Sequence, residues 1–324
     1  MQKKCKILII RFSSIGDIIL TTPVIRCIKS QKDVELHYLT KLQYKDIVNS
    51  NIYIDKVYTY QYNYLDVIKE LKKEEYDYVI DLHNNIRSKW FRLSLRSNNY
   101  VIEKENIKKL LLINFGINFV KNHTVDRYFN AIKELGFIND KKGLDYFIKQ
   151  EHEIDFNVKQ QYISWCIGGS YEQKKLSYDQ IINICDRIET PIVFLGGENE
   201  KDLALRVVKN SINKNLHNFC GEISLSESAY LIKNSSFLLT NDTSLMHIGA
   251  AFNTPTISFW GCTKPSLGFG PYLNKKSIEI LSENTNPCSR HGNSCRHTEG
   301  GCVKLIDKEI IYKKIQKISL ELLK

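Results

Sequence analysis

The sequence has no run of about 18 or more apolar residues, so nothing in it reads as a membrane span. It enters an apolar strand at once, without a signal-peptide pattern, which sets the expectation of a cytoplasmic protein. No GxGxxG follows the first apolar run and no GxxxxGKS/T occurs anywhere, which removes the dinucleotide and P-loop readings. No DxD-like cation site stands near Asp242. There is no regular paired-CxxC ribbon either. The nine cysteines include several inside apolar stretches, such as Cys166 and Cys185, which suits a reduced protein rather than a disulfide framework.

What is present begins with size. A chain of 324 residues, 43% hydrophobic and 25% charged, has room for two ordinary globular domains. The net charge of +10 favours a polyanionic partner: nucleic acid, an anionic membrane surface or a phosphorylated substrate. Much of the lysine falls on presumed helix faces, where it is solvated surface. Charge alone does not choose among these partners.

The stretch Ser13-Ser14-Ile15-Gly16-Asp17 follows the apolar run Ile7-Leu8-Ile9-Ile10, interrupted by Arg11 before Phe12. Such a run reads as a central parallel strand, buried on both faces. A glycine-containing turn follows, then a helix that starts or restarts at Thr22-Pro23. In open α/β sheets ligands bind beyond the carboxyl ends of the strands, which puts Asp17 at the lip of a site. The plainer alternative is that Asp17 only caps the next helix.

Strand and helix then alternate with short loops. Strands are expected at 34–39, 56–60 and 76–82, the last ending in the polar loop His83 to Ser88. Residues 103–120 lose the pattern, and a core-facing helix is preferred there over an amphipathic helix lying on a membrane. A polar connection at 137–158 leads to a second series, with strands at 162–167, 191–195, 216–219, 237–239 and 256–259. The pattern predicts two tandem α/β domains with doubly wound parallel sheets facing a central cleft. In the second, Thr240-Asn241-Asp242-Thr243-Ser244-Leu245-Met246-His247 takes a strand into a helix start, a ready anion site suited to a diphosphate. An ordinary N-cap explains the same residues without a ligand.

The pairing of Ser-Ser-Ile-Gly-Asp–helix–Thr-Pro with Asp-Thr-Ser-Leu-Met-His resembles glycosyltransferase family 9, the ADP-heptose:lipopolysaccharide heptosyltransferases. Asp81-Leu82-His83-Asn84-Asn85-Ile86-Arg87-Ser88, His123 to Tyr128 and Phe259 to Pro265 are similar to further family motifs, in the same order, so the likeness spans residues 6 to about 305. The resemblance implies a GT-B fold of two Rossmann-like domains. An acceptor domain would cover 1–150, a nucleotide-sugar domain 151–305, and a helix at 306–324 would cross back to the first. It implies an inverting, metal-independent transfer of heptose from an ADP-sugar to a lipopolysaccharide core acceptor, with no cofactor and no nucleic-acid partner. Asp17 would be the general base and Lys174 would stabilise the diphosphate, although Lys175 fits that role as well. Gly169, Ser170, Glu200, Ile223, Asp242, Thr243, Ser244, Leu245 and His247 would hold the donor. For His247 a place within the core is nearly as good a reading. Ser13, Ser14, Gly16, Arg87 and Arg127 would face an anionic glycolipid acceptor, with peripheral contact at the inner membrane surface.

This chain departs from the family at Lys174-Lys175-Leu176-Ser177, where the usual tryptophan and proline are missing, and at Cys262 in place of a proline. A different sugar nucleotide or surface-glycan acceptor is the alternative reading. A non-catalytic nucleotide-sugar-binding protein is another, and retention of both Asp17 and a diphosphate-site lysine argues against it. Cysteine and histidine crowd the segment Cys288 to Cys302, but the spacings match no paired ribbon, and a structural loop with free thiols is preferred over zinc. The last segment, Asp307 to Lys324, reads as an amphipathic helix with Ile310, Ile311, Ile315, Ile318 and Leu322 inward.

Overall fold

The computed structural model describes residues 4–148, 154–284 and 286–322. By packing, the chain divides into Met1–Glu105 with Asn122–Lys149, and Asn106–Lys121 with Gln150–Lys324.

The first unit runs β1 (Cys5–Ile10), α1 (Ile15–Ile19), α2 (Thr22–Gln31), β2 (Val34–Lys41), α3 (Lys45–Asn49), β3 (Lys56–Tyr60), α4 (Tyr64–Lys73), β4 (Tyr78–Asp81), α5 (Ile86–Ser94) and β5 (Asn98–Val101). After α6 (Asn106–Phe115) it resumes with α7 (Thr124–Ala131). Its sheet is parallel, in the order β3-β2-β1-β4-β5. β1 is central because its apolar residues are covered on both faces: Ile7, Leu8, Ile9 and Ile10 are all buried. Chain order reverses between β1 and β4, which makes that gap the switch point where loops diverge and leave a crevice. Residues 137–148, expected as part of a polar connection, are instead tied down. Arg26 on α2 donates to Asp140 at 2.8 Å and to the Gly143 carbonyl at 2.9 Å, and also pairs with Asp145.

The second unit runs β6 (Ile163–Cys166), α8 (Tyr178–Cys185), β7 (Ile192–Leu195), α9 (Lys201–Asn210), β8 (Leu216–Asn218), α10 (Leu225–Asn234), β9 (Phe237–Asn241), α11 (Ser244–Ala251), β10 (Thr256–Trp260), β11 (Ser277–Leu281) and α12 (Lys308–Leu322). Its parallel sheet has the order β11-β10-β9-β6-β7-β8, so the switch point lies between β6 and β9. Trp165, Phe194 and Phe259 are fully buried in its core. Each such side chain contributes about 1.5–3 kcal/mol relative to exposure.

Two expectations about the elements change. Residues 106–121 group with the second unit, where Arg296 donates to the Ile113 carbonyl at 2.8 Å and to Asn114 at 2.6 Å. α6 is also less core-facing than its composition suggests. Leu112 is buried, while Ile107, Leu110 and Phe115 are exposed. The terminal helix α12 packs with α8, and Ile311, Ile315 and Ile318 enter the second unit's core. Ile310 faces out, and the Leu322 side chain lies outside the described residues.

Candidate functional site

Each switch point carries a carboxylate paired to a cation. In the first unit, β1 ends at Ile10 and Arg11 turns inward. Its guanidinium donates to the Ser13 carbonyl at 2.7 Å, the Leu82 carbonyl at 2.6 Å and Asp17 Oδ2 at 2.5 Å. Ser14 is the N-cap of α1, and its N–H and hydroxyl reach the same Oδ2 at 3.3 and 3.2 Å. Asp17 is therefore oriented from three sides. Its side chain is 38% exposed and that of Arg11 only 11%, so the buried cation presents the carboxylate outward. Burial works against the Arg11 charge, but Asp17 and the neighbouring tyrosines outweigh it and hold the guanidinium above its ordinary value. Gly16 is buried within α1.

Across this switch point, β4 ends at Asp81, whose Oδ1 accepts the His83 and Asn84 N–H at 3.0 and 2.7 Å and shapes the loop into α5. Burial, then the Arg11 charge, pulls His83 down to about 3, so its ring is neutral. Arg87 is exposed in the first turn of α5, near Tyr60. Arg127 is placed differently from the expectation that it meets an acceptor. It is buried, donating to the Lys104 carbonyl at 3.1 Å and the Thr124 hydroxyl at 2.6 Å, with Glu105 at 3.8 Å. Local acceptors hold it as an internal brace.

In the second unit, the loop after β6 carries Gly169, Ser170, Lys174 and Lys175. Lys174 Nζ donates to Asp242 Oδ2 at 2.7 Å, and Thr263 donates to the same oxygen at 2.8 Å. Lys175 pairs with Glu200 Oε1 at 2.7 Å, while Glu200 Oε2 accepts the Gly197 N–H at 3.0 Å. Both lysines thus stand at the switch point, each on its own buried carboxylate. Gly169 lies close to both stems: a Cβ there would meet Lys175 Cγ at 3.3 Å and Lys174 Cβ at 3.4 Å. Asn241 bridges to the Ile167 and Gly168 carbonyls at 3.1 and 2.9 Å, locking the β9 end to the β6 end.

Thr243 is the N-cap of α11, and Ser244 is its first residue, where helix N–H groups lack intrahelical partners. Leu245 and His247 are buried on α11, with His247 one turn into the helix. Ser170 is exposed, and Ile223 is half-buried in the loop after β8, at the same sheet edge. Two site residues had escaped notice as partners. Arg11 signals itself as a lone cation inside an apolar run. Thr263 carries no comparable signal.

Two doubly wound parallel sheets, each with its polar loops at a switch point, are the architecture of the GT-B fold. The chain belongs to glycosyltransferase family 9 (heptosyltransferase), whose family model matches residues 64–298. It is 27% identical to lipopolysaccharide heptosyltransferase 1 of Campylobacter coli, an alignment covering 97% of this chain and 98% of the relative. In three dimensions it is similar to a family 9 glycosyl transferase from Veillonella parvula, with a TM-score of 0.77, 18% identity and coverage of 98% and 97% of the two chains. It is also similar to ADP-heptose lps heptosyltransferase II of E. coli, with a TM-score of 0.74, 17% identity and coverage of 98% and 99%. Among the described residues no helix is long and apolar enough to cross a membrane.

Proposed function

We propose that this enzyme is an inverting heptosyltransferase that moves heptose from ADP-heptose to a lipopolysaccharide core acceptor, without a divalent cation at the diphosphate. The observation that carries the reading is the contrast between the switch points: one presents a carboxylate, Asp17, and the other presents two lysines and a helix start. The names of the related proteins supply the sugar and the acceptor class.

In this mechanism the Asp17 carboxylate takes the proton of the acceptor hydroxyl as its oxygen attacks the anomeric carbon. The bond from that carbon to the diphosphate breaks, and ADP leaves with the electron pair. Arg11 holds Asp17 in place and aims it. Lys174, with one of its three N–H groups on Asp242, offers the others to the leaving diphosphate, and the Thr243 and Ser244 amides add fixed donors. Glu200 meets the ribose hydroxyls while Lys175 holds it. Ile223 packs on the adenine, and His247 orients the donor sugar. Arg87 meets acidic groups of the acceptor, in place of the pair Arg87 and Arg127. The exposed apolar side chains of α6, Ile107, Leu110 and Phe115, rest against the inner membrane surface that carries the acceptor.

The test is a transfer assay with ADP-heptose and heptose-free core glycolipid presented in vesicles. Release of ADP with a product heavier by one heptose is the expected result, with a rate that added magnesium or manganese does not raise. Transfer only from another sugar nucleotide, or a rate that depends on the added cation, would sink the corresponding part of the reading.

A further inference from the structure

The cysteines that match no linear motif meet in space. Cys288, Cys295 and Cys302 come from the loop before α12, and Cys262 comes from the turn after β10. Their four sulfurs all lie within 4.8 Å of one another. The individual separations are 3.9 Å for Cys288–Cys295, 3.4 Å for Cys288–Cys302 and 3.1 Å for Cys295–Cys302. None is a disulfide, whose sulfurs stand about 2.05 Å apart. Four sulfurs bound at about 2.3 Å to one tetrahedral ion stand about 3.8 Å apart, close to what is seen here. Cys262, Cys288 and Cys302 are buried and Cys295 is half-buried.

The backbone around the sulfurs is arranged for thiolates rather than thiols. The N–H groups of His297 and Thr298, two and three residues after Cys295, both point at its sulfur at 3.4 Å. The Cys302 N–H points at the Cys262 sulfur at 3.4 Å, and Asn284 donates to Cys288 Sγ at 3.8 Å. The Cys288 N–H holds the Cys262 carbonyl at 2.8 Å, which fixes the two strands of the knuckle together. The ammonium of Lys264 is buried nearby, on the Ser282 carbonyl and hydroxyl at 2.8 and 2.9 Å, and supplies positive charge to a cluster that would carry net negative charge.

We propose that Cys262, Cys288, Cys295 and Cys302 form a tetrathiolate site for one thiophilic cation, zinc or iron. On binding, the four thiols release their protons to water and each sulfur forms one bond to the metal. A buried tetrahedral sulfur set selects these soft-ligand metals over magnesium or calcium, and its closed coordination leaves no open position for chemistry. The site is a clip. It holds the 288–302 loop against the lysine loop of the same unit: a Cβ on Gly292 would fall 2.4 Å from Lys174 Cε, and Lys304 pairs with Glu172 at 2.9 Å. Gly261 packs as tightly on the other side, where a Cβ would lie 2.2 Å from the Val303 nitrogen.

The experiment is elemental analysis of untagged, reduced full-length protein, with a cobalt titration of the chelator-treated chain. About one equivalent of zinc or iron per chain is expected, together with intense thiolate-to-cobalt charge-transfer bands and tetrahedral ligand-field bands. The element found decides between the two metals. Cys295→Ser, at the half-buried ligand, should fall to less than about a tenth of the wild-type metal, while Cys5→Ser, outside the cluster, should retain it. A folded wild-type chain that holds neither metal and takes up no cobalt overturns the proposal. So does full metal retention by Cys295→Ser, or two disulfides among the four cysteines in the native chain. The metal readout needs no substrate, so failure here leaves the transferase reading untouched, and the reverse also holds.

Discussion

The two switch points are built from the same parts used in opposite ways. In the first unit the cation is buried and the carboxylate looks out, with side-chain exposures of 11% for Arg11 and 38% for Asp17. In the second both members of each pair are enclosed, at 11% and 8% for Lys174 and Asp242. An arginine fixed by two carbonyls cannot leave its place, so the first arrangement displays an anion held still. A lysine ammonium on a flexible stem, resting on a single carboxylate, is a cation that can turn toward a better anion. Geometry thus separates an outward-facing carboxylate from two enclosed ion pairs, although both loops present an acidic residue beside a basic one.

Exchanging the charge at each place breaks the comparison most sharply. Asp17→Asn should lower kcat by about 10²–10⁴-fold, the usual worth of a positioned base, with ADP affinity unchanged. Lys174→Met should do the reverse in kind. It should weaken ADP binding and lower kcat/KM for the donor by about 10–100-fold, as expected for a charge-assisted contact to the leaving group. Turnover and ADP affinity measured on both variants give a two-by-two pattern. If Asp17→Asn keeps more than about a tenth of the rate, the carboxylate is not the base. If Lys174→Met leaves ADP affinity intact while Lys175→Met weakens it, the anion receiver is the neighbouring lysine.

Much of this was readable from the chain itself, because both switch points follow short apolar strands that announce their own ends. Ile7–Ile10 and Phe237–Leu239 are buried on both faces, and their polar loops begin where the apolar residues stop. At the sheet edges β3 and β8 were readable, whereas β5 and β11 were not. Their residues are mostly partly or fully exposed, so no apolar run marks them. Pairings across long separations were equally hidden: Lys174 meets Asp242 68 residues away. The gathering of the four cysteines was hidden for the same reason. The fourth sulfur, Cys262, comes from another strand end, so spacing within the 288–302 segment does not reveal it. The sequence points Arg127 at acidic groups of an acceptor, and only the fold shows the Lys104 carbonyl and Thr124 hydroxyl that claim it.

That last difference sharpens the first unit's side of the comparison. Arg87 is exposed and Arg127 is buried, so the two arginines should fail in distinct ways. Arg87→Ala should raise the acceptor KM by about three- to tenfold with little change for the donor, since it removes one solvent-screened charge contact. Added salt should raise the wild-type acceptor KM in the same direction, because screening acts over about 8–10 Å. Arg127→Ala should instead lower the melting temperature, because it removes a buried guanidinium that donates to the Lys104 carbonyl and the Thr124 hydroxyl. The reverse assignment, with Arg87→Ala unfolding the protein and Arg127→Ala raising KM in a stable one, would show that the buried arginine is reached by substrate.

The smallest effect concerns how the two units meet acid. In the first, Glu74 accepts Lys56 at 2.6 Å, Lys6 at 2.7 Å and the Tyr58 hydroxyl at 2.5 Å. Lys56 above all, then Lys6 and Tyr58, pull its carboxyl from 4.5 to about 2. Asp140 is likewise held down at about 2, chiefly by Arg26. Asp145 on the same arginine goes the other way, raised by burial. In the second unit Glu309 is lowered by Arg187, but that pair is largely exposed and worth little, and burial raises Glu279. The sign follows from proton counting. A carboxyl with a depressed folded value binds fewer protons in the native state than in the unfolded chain. Its contribution is therefore complete above about 4.5 and is lost as the pH falls toward about 2. Between these values the first unit should lose hydrogen-exchange protection before the second. Glu74→Gln should be less stable than wild type at neutral pH and should flatten the acid slope of the first unit only. Equal slopes in the two units, or a variant whose acid profile overlays the wild type, would mean that the Glu74 cluster does not couple protons to the folding of the first unit.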